Sequence, residues 1–88
     1  MDDALILQEL ESLAAELDIE LRYEDLDGAA GGLCRVRGRQ SLILDRSLPA
    51  GERVSSLSRA LAQCPFEDLF VRPQIRALLE SHRPPTDF

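Results

Sequence analysis

The chain of 88 residues has a formal net charge of -6, and 44% of its residues are hydrophobic and 30% are charged. A chain of this length forms one domain with a small core, and its composition is typical of a globular protein rather than a disordered one. The acidic balance argues against non-specific binding to nucleic acid or to an anionic membrane, and no apolar run reaches the length of a bilayer-spanning helix. Because the N-terminal stretch MDDALILQEL is acidic where a signal peptide is basic, we expect a cytoplasmic protein.

The first predicted element is a helix that begins after a cap at Asp2 or Asp3 and ends near Leu17. Its apolar face follows helical spacing through Ile6, Leu10, Leu13, Ala14 and Leu17. The next stretch, DIELRYE, alternates apolar and polar residues, which is typical of a half-buried strand. The glycine-rich stretch DLDGAAGG is predicted to be a loop, and it lacks the spacing of a phosphate-binding loop.

A β-hairpin is predicted next, with strands over residues 33–37 and 41–45 joined by the three-residue loop GRQ. This loop places Val36 opposite Leu42 and Cys34 opposite Leu44 on the core face, with the arginines outside. A two-residue turn at positions 38–39 would place Gly38 where such a turn prefers glycine, but it puts Leu42 and Leu44 on the same face as the arginines. The three-residue loop is preferred because burying arginine costs more than an imperfect turn.

A second helix is predicted after Ser47 as a candidate cap and Pro49 in the first turn, ending before Pro65. Its buried side comprises Val54, Leu57, Ser58, Leu61 and Cys64. The stretch EDLFV is then long enough for a short edge strand. Pro73 begins a final helix whose inward residues are Ile75, Leu78 and Leu79.

These elements predict an α+β fold in the order α-β-β-β-α-β-α. We expect a small antiparallel sheet of three to four strands, covered on one face by three helices. Residues 1–82 form the single domain, and residues 83–88 form a flexible C-terminal tail.

Four arginines, Arg35, Arg37, Arg39 and Arg46, are the candidate residues for binding an anion or a partner, because guanidinium groups bind carboxylate and phosphate in a bidentate fork. The alternative interpretation is a solvated strand face that must carry polar residues. All ten bases of the chain are arginine, with no lysine, which indicates a GC-rich bacterial genome. No aromatic residue lies among these arginines, so nucleic acid is not the expected ligand.

The sequence contains no assembled catalytic or metal-ligating motif. Cys34 and Cys64 do not belong to a Cys/His cluster with metal-ligand spacing, so we expect buried, reduced thiols and neither metal nor cofactor. His82, the one histidine, lies where a cation commonly ends a helix, which favours a structural role over a Cys/His nucleophile pair.

The segment SLILDRSLPAGERVSSLSRALAQ resembles the zinc-peptidase domains of the ImmA/IrrE type, in which a strand leads through a loop into a helix bearing HExxH. Arg59, Ala60 and Gln63 stand at the positions of the first histidine, the glutamate and the second histidine. Arginine cannot ligate zinc and alanine cannot act as a general base, so the resemblance implies a metal-free relative of that scaffold. The stretches GGLCRVRG and PQIRALLE also resemble those of small bacterial proteins of uncharacterised function, and that resemblance implies no activity.

The function expected first is a non-enzymatic protein-interaction or regulatory module, assembled as a homodimer. Residues 1–27 sum to a charge of -9 and residues 28–88 to +3, so the two parts of the chain can neutralise each other across an interface. Two alternatives stay open. One is a small-anion or nucleotide-binding protein that uses the arginine-rich hairpin, and the other is the metal-free relative of a zinc peptidase.

Overall fold

The computed structural model describes residues 2–27 and 31–83, and it shows an α+β fold. The order of elements is α-β-β-β-α-α, so it lacks the strand that the sequence predicts between the last two helices. Their bounds are α1 (Asp3–Glu16), β1 (Glu20–Glu24), β2 (Gly32–Val36), β3 (Arg39–Asp45), α2 (Ala50–Leu61) and α3 (Pro73–Ser81). No helix in this part of the chain is both long and apolar enough to span a membrane.

The sheet has three strands in the order β1-β3-β2, and it is mixed rather than wholly antiparallel. β2 is antiparallel to β3, as expected of a hairpin, but β1 runs parallel to β3. The most apolar strand, SLILD within β3, occupies the centre because a central strand is the most deeply buried. The connection between β1 and β2 is long enough to leave the central position open for β3.

The fourth strand predicted from EDLFV is not formed. Residues 67–71 are a turn followed by extended chain, and the Leu69 amide donates to the Phe66 carbonyl at 3.1 Å. Only α1 and α2 pack against the sheet, and α3 packs against those two helices, so the prediction that three helices cover one face is wrong. A three-stranded sheet is only about 10 to 15 Å wide, which leaves room for two helices side by side.

The predicted hairpin register is also wrong. The turn contains two residues, Arg37 and Gly38, and both have positive φ angles, 53° and 78°. Such a turn matches the twist of an antiparallel pair and sets Val36 opposite Arg39 and Cys34 opposite Ser41. This register turns Cys34 and Val36 away from the face that holds the buried leucines of β3.

This register does not require an arginine to be buried. Arg35 pairs with Gln40 and so shares the face of Leu42, but it lies near the end of the strand, is exposed, and donates to the Gly38 carbonyl at 3.2 Å. The cost that favoured the three-residue loop is therefore absent. Polarity alternation misassigned the faces because Arg35, which shares the face of Leu42, remains exposed near the end of the strand.

The core lies between the sheet and the helices, and it confirms the apolar faces predicted for them. Leu10, Leu13 and Ala14 of α1 pack in one cluster with residues of β3, α2 and α3, the others being Leu42, Leu44, Val54, Leu57, Leu61, Ile75 and Leu79. Ile19 and Cys64 are buried in the same cluster. Each helix therefore buries the stripe that its periodicity indicates.

The helix caps are partly as predicted. Asp2 accepts a hydrogen bond from the Leu5 amide at 2.9 Å, which confirms it as the cap of α1. Ser47 does not cap α2, since Pro49 occupies the cap position. The amide and hydroxyl of Ser47 instead donate to Asp45, at 3.0 and 2.9 Å, and these bonds lower the pKa of that carboxyl.

The last described residue, Arg83, forms hydrogen bonds to the segment that follows α2. Its guanidinium donates to the carbonyls of Ala62 and Cys64, at 2.8 and 3.1 Å, and to the Glu67 carboxylate at 2.7 Å. The rest of the predicted flexible tail, residues 84–88, lies outside the described residues.

Candidate functional site: a groove beside an edge strand

The structure divides the four candidate arginines between two places. Arg35, Arg37 and Arg39 lie at the tip of the β2–β3 hairpin, whereas Arg46 follows the opposite end of β3. β3 has seven residues, so the two places are about 20 Å apart. The four side chains therefore do not converge on one small anion.

Two of these arginines already have acidic partners. Arg39 pairs with Asp18 at 3.6 Å, and Arg46 pairs with Asp25 at 3.4 Å. Arg35 and Arg37 have no ion pair among the described residues, and both are exposed. An anion site at the hairpin stays a prediction, with these two residues as its open members.

A groove of about 530 Å³ lies between the sheet and α2. Its apolar surface is formed by Leu33, Leu42, Leu44 and Leu48. The helix wall comprises Ser56, Arg59, Ala60 and Gln63. Small side chains at positions 56 and 60, and the glycines at 31 and 32, leave this space open beside the leucines.

One side of the groove is formed by Gly31 and by Gly32 and Leu33, the first two residues of the edge strand β2. β3 occupies one side of β2, and among the described residues no strand pairs with the other side. The strand Gly32–Val36 contains no proline, so alternate backbone amides and carbonyls along that edge are available to hydrogen-bond another strand.

The opposite wall carries the polar groups. Arg59 lies on α2 and Gln63 lies in the turn that follows it, and both residues are exposed. Arg59 has no ion pair within residues 2–27 and 31–83. Asp45 also lines the groove, but its carboxylate already accepts from Ser47. The groove therefore combines apolar surface with one positive charge, that of Arg59, which has no ion pair among the described residues, and one negative charge, that of Asp45.

The sequence indicated the residues of this wall only through the resemblance to the zinc peptidases. Arg59, Ala60 and Gln63 are the three residues laid on HExxH, and all three line the groove. A direct signal was present in the sequence of α2, where the small residues Ser56 and Ala60 lie four positions apart and therefore on one side of the helix, next to Arg59. Charge alternation in the hairpin was the more visible pattern, but it marks the tip rather than the groove.

The residues at the HExxH positions do not fit a zinc ion. Neither arginine nor alanine is a zinc ligand, and glutamine is a poor one. Elsewhere in residues 2–27 and 31–83, no group of three His, Cys, Asp or Glu side chains is arranged to hold a metal. No step of metal chemistry can be derived from this groove.

His82 partners a serine rather than a cysteine. Its Nε2 lies 2.9 Å from Ser58 Oγ, and the same hydroxyl donates to the Val54 carbonyl at 2.7 Å. Because Ser58 is fully buried between the helices, its oxygen has no open approach for a substrate. The pair joins α2 to the end of α3.

The two cysteines are free thiols in different surroundings. Cys64 is buried in the core as predicted, and this burial raises the pKa of its thiol. Cys34 is only half-buried and lies on the sheet face opposite the core leucines, across from Ser41. The prediction of a core position for Cys34 is therefore wrong, and the reason is the shifted hairpin register.

A polar cluster around Tyr23 positions the loop that forms one end of the groove. The Tyr23 hydroxyl donates to Glu11 at 2.6 Å, and the Arg53 guanidinium lies over the tyrosine ring at 5.0 Å. Arg53 also donates to the carbonyls of Leu48 and Arg46, at 2.9 and 2.7 Å. α1, β1 and α2 thus hold Leu48 in place through one set of contacts.

This cluster predicts an unusual tyrosine titration. Burial, followed by the hydrogen bond to Glu11 and the charge of Glu11, raises the pKa of Tyr23 from 10.0 to about 12. Because the folded-state pKa is the higher one, the stabilisation is present below pH 10 and is lost as the pH rises through about 12. Tyr23 is the sole tyrosine and the chain has no tryptophan, so ultraviolet absorbance of the phenolate reports this group alone.

We expect the absorbance midpoint near pH 12 in the native protein, and we expect Glu11→Gln to move it downward without reaching the value for free tyrosine, since burial remains. Titration in concentrated urea provides the matched unfolded reference. A native midpoint equal to that reference would contradict the cluster.

Comparisons with known proteins assign no family. No family model matches the chain, and neither a curated protein nor a solved structure is detectably similar to it. The groove and the edge strand are therefore interpreted from their own chemistry.

Proposed function

We propose that the protein is a non-enzymatic interaction module that binds an extended, acidic segment of a partner protein along the free edge of β2. The observation that carries the proposal is that this edge runs beside an apolar groove whose far wall presents Arg59. The bound segment would add a fourth strand to the sheet. Binding by strand addition uses backbone hydrogen bonds for affinity and side-chain pockets for specificity.

Side-chain alternation defines the segment further. In an added strand every second residue faces the helices, where the half-buried Leu33 and Leu48 supply apolar contacts. Residues directed at the helix wall meet Arg59, which favours a carboxylate there. The fitting segment therefore carries apolar residues and one acidic residue on the face that is directed at the helices, with the acidic residue next to Arg59.

Charge also indicates that the strand comes from a different sequence rather than from β2 of a second copy. Arg35 lies within β2 and Arg37 directly follows it, and neither has an ion pair among the described residues. Pairing two β2 strands would bring the arginines of both copies to one interface, whereas an acidic segment would neutralise them.

The peptidase resemblance is compatible with this proposal. The three positions laid on HExxH line the same groove, so the chain can be interpreted as a relative of that scaffold that retains a binding cleft without metal chemistry. This relationship is supported only by the resemblance and by the placement of Arg59, Ala60 and Gln63.

The test uses a synthetic peptide in which every second residue, directed at the helices, is valine except for one glutamate placed to meet Arg59, with threonine at the other positions and one terminal tryptophan. Since the chain itself has no tryptophan, peptide fluorescence reports binding directly. We expect saturable binding and amide chemical-shift changes concentrated in β2 and the facing side of α2. A lysine-for-glutamate peptide should bind at least about tenfold more weakly, because it meets Arg59 with a like charge.

Two matched changes separate this mode from general charge attraction. Arg59→Gln should weaken binding several-fold, whereas Arg22→Gln, which removes the same charge on β1, should leave it unchanged. Two N-methylated peptides are compared, one methylated at the odd-numbered amides and the other at the even-numbered amides. Only the peptide whose methyl groups replace the amide hydrogens that face β2 should lose binding. Equal binding of the acidic and basic peptides, or shifts outside β2 and α2, would overturn the proposal.

A further inference from the structure

A second surface of the molecule is divided into two exposed patches of opposite charge. The basic tip consists of Arg35, Val36, Arg37 and Arg39 at the hairpin turn, and all four residues are exposed. The acidic patch consists of Glu9, Ser12 and Glu16 of α1 with Phe70 and Val71, and these residues line a groove of about 140 Å³ together with Arg72. Neither patch belongs to the groove beside β2.

Each patch contains an exposed apolar side chain. Phe70 is 88% exposed and Val36 is 41% exposed, and they are two of the three large hydrophobic residues left exposed in the described chain. An aromatic residue so exposed beside a small cleft has the character of an interface anchor. Val36 lies among arginines and Phe70 lies beside glutamates, so both apolar and ionic contacts are complementary between the patches.

The acidic patch has a free charge for this contact. Glu9 is already paired with Arg72 at 3.0 Å, but Glu16 is exposed and has no ion pair within residues 2–27 and 31–83. In the basic tip, Arg35 and Arg37 have no ion pair among the described residues, and Arg37 lies in the turn itself. Glu16 and Arg37 are therefore available as ionic partners.

The two patches are neighbours within one molecule. Arg39 of the basic tip pairs with Asp18 at 3.6 Å, and Asp18 follows the end of α1 just beyond Glu16. When complementary patches share a border, a two-fold axis at that border places each patch of one copy on the opposite patch of the other. Such a contact closes as a dimer instead of extending into a filament.

We propose that the protein forms a two-fold dimer in which the basic tip of each copy binds the acidic patch of the other, with Arg37 facing the partner's Glu16 and Val36 packing near the partner's Phe70. The basic tip shares Arg35 and Val36 with the end of β2, but the dimer contacts use neither α2 nor Arg59, so the dimer does not rest on the proposed peptide binding.

Charge reversal in two separate variants tests the dimer. In sedimentation equilibrium the wild-type chain should reach twice the 9.8 kDa of one chain, and high salt should weaken the association. Arg37→Glu and Glu16→Arg should each weaken dimerisation at least about tenfold, because each repeats a like-charge contact twice across the axis. Phe70→Ala should weaken it as well, while its exposure leaves folding intact.

Mixing the two charge variants should restore the dimer. One contact then pairs Glu at position 37 with Arg at position 16, and the other contact has the original residues. Circular dichroism checks that each variant is folded, and Arg59→Gln serves as the control that should not change dimerisation. A monomeric wild type, or a mixture that stays monomeric, would overturn the proposal; neither result bears on peptide binding, which is measured separately by tryptophan fluorescence.

Discussion

Replacing Phe66 with alanine is expected to reduce the free energy of unfolding by about 3 to 5 kcal/mol. Phe66 is fully buried in the core cluster, although it lies in the connection between α2 and α3 rather than in a helix or strand. A domain of 88 residues has a total stability of about 4 to 13 kcal/mol, so this one change removes a large share of it.

Urea denaturation followed by circular dichroism measures the change, since the chain has no tryptophan to report on folding. Phe66→Leu is the matched variant, and we expect it to cost clearly less because leucine fills part of the same volume. A loss below about 1 kcal/mol for the alanine variant would show that the ring is not a core residue.

Replacing Arg83 with alanine is expected to cost about 2 to 3 kcal/mol, the second largest effect. The change removes hydrogen bonds to Ala62 and Cys64 and the ion pair with Glu67. It also uncovers Phe66, because the Arg83 guanidinium lies 4.2 Å from the centre of that ring. About two thirds of the side chain is buried, since its relative exposure is 34%, so the loss should exceed that of an ordinary surface ion pair.

For a domain of this size the expected loss corresponds to a Tm decrease of about 10 to 20 °C. Arg83→Lys should not restore the stability, because an ammonium group cannot reproduce the planar fork that reaches two carbonyls and a carboxylate. Arg59→Ala provides the comparison, since Arg59 lies exposed on α2 and should change Tm little. Equal Tm values for Arg83→Ala and Arg59→Ala would contradict the role assigned to Arg83.

The same contacts predict an acid dependence. The hydrogen bond from Arg83, the largest cause, lowers the pKa of Glu67 below its ordinary value. A carboxyl whose folded-state pKa is lowered stabilises the protein above its unfolded pKa, and this contribution is lost as the pH falls through the folded value. Glu67 is exposed, so its share of the stability is small compared with the carbonyl contacts of Arg83.

Helical periodicity predicted the three helices well because each helix buries one stripe of its surface. The spacing of Leu10 and Leu13 in α1, and of Val54 and Leu57 in α2, identified residues that are buried in the core. Pro73 also marked the beginning of α3. These features depend on residues close together in the chain, so local patterns are sufficient to find them.

The hairpin shows where a local pattern misleads. Alternation of arginines with Cys34 and Val36 indicated the wrong inward face, because the turn at Arg37 and Gly38 sets the register independently of polarity. Arg35 avoids the cost of burial because it lies near the end of the strand, where it is exposed and its guanidinium donates to the Gly38 carbonyl. Only the position of the covering helices reveals that an arginine on the inward face can remain exposed.

The groove could not be predicted from the sequence, because it also depends on contacts between distant parts of the chain. Leu33 and Arg59 are distant in the chain, and they line one groove because β3 lies between β1 and β2 and thereby makes β2 an edge. Ser56 and Ala60 leave space there only because α2 crosses the sheet at that point. The sequence had suggested Arg59, Ala60 and Gln63 through a resemblance, but it did not indicate a free strand edge beside them.

By itself the sequence determined the α+β class, the helix faces and the uneven distribution of charge, because composition and short-range periodicity encode them directly. Only the tertiary structure decided the strand order, the hairpin register, the groove beside β2 and the closeness of the basic tip to the acidic patch. Those features arise from contacts between residues far apart in the chain, where the free energy of packing the whole domain outweighs each local preference.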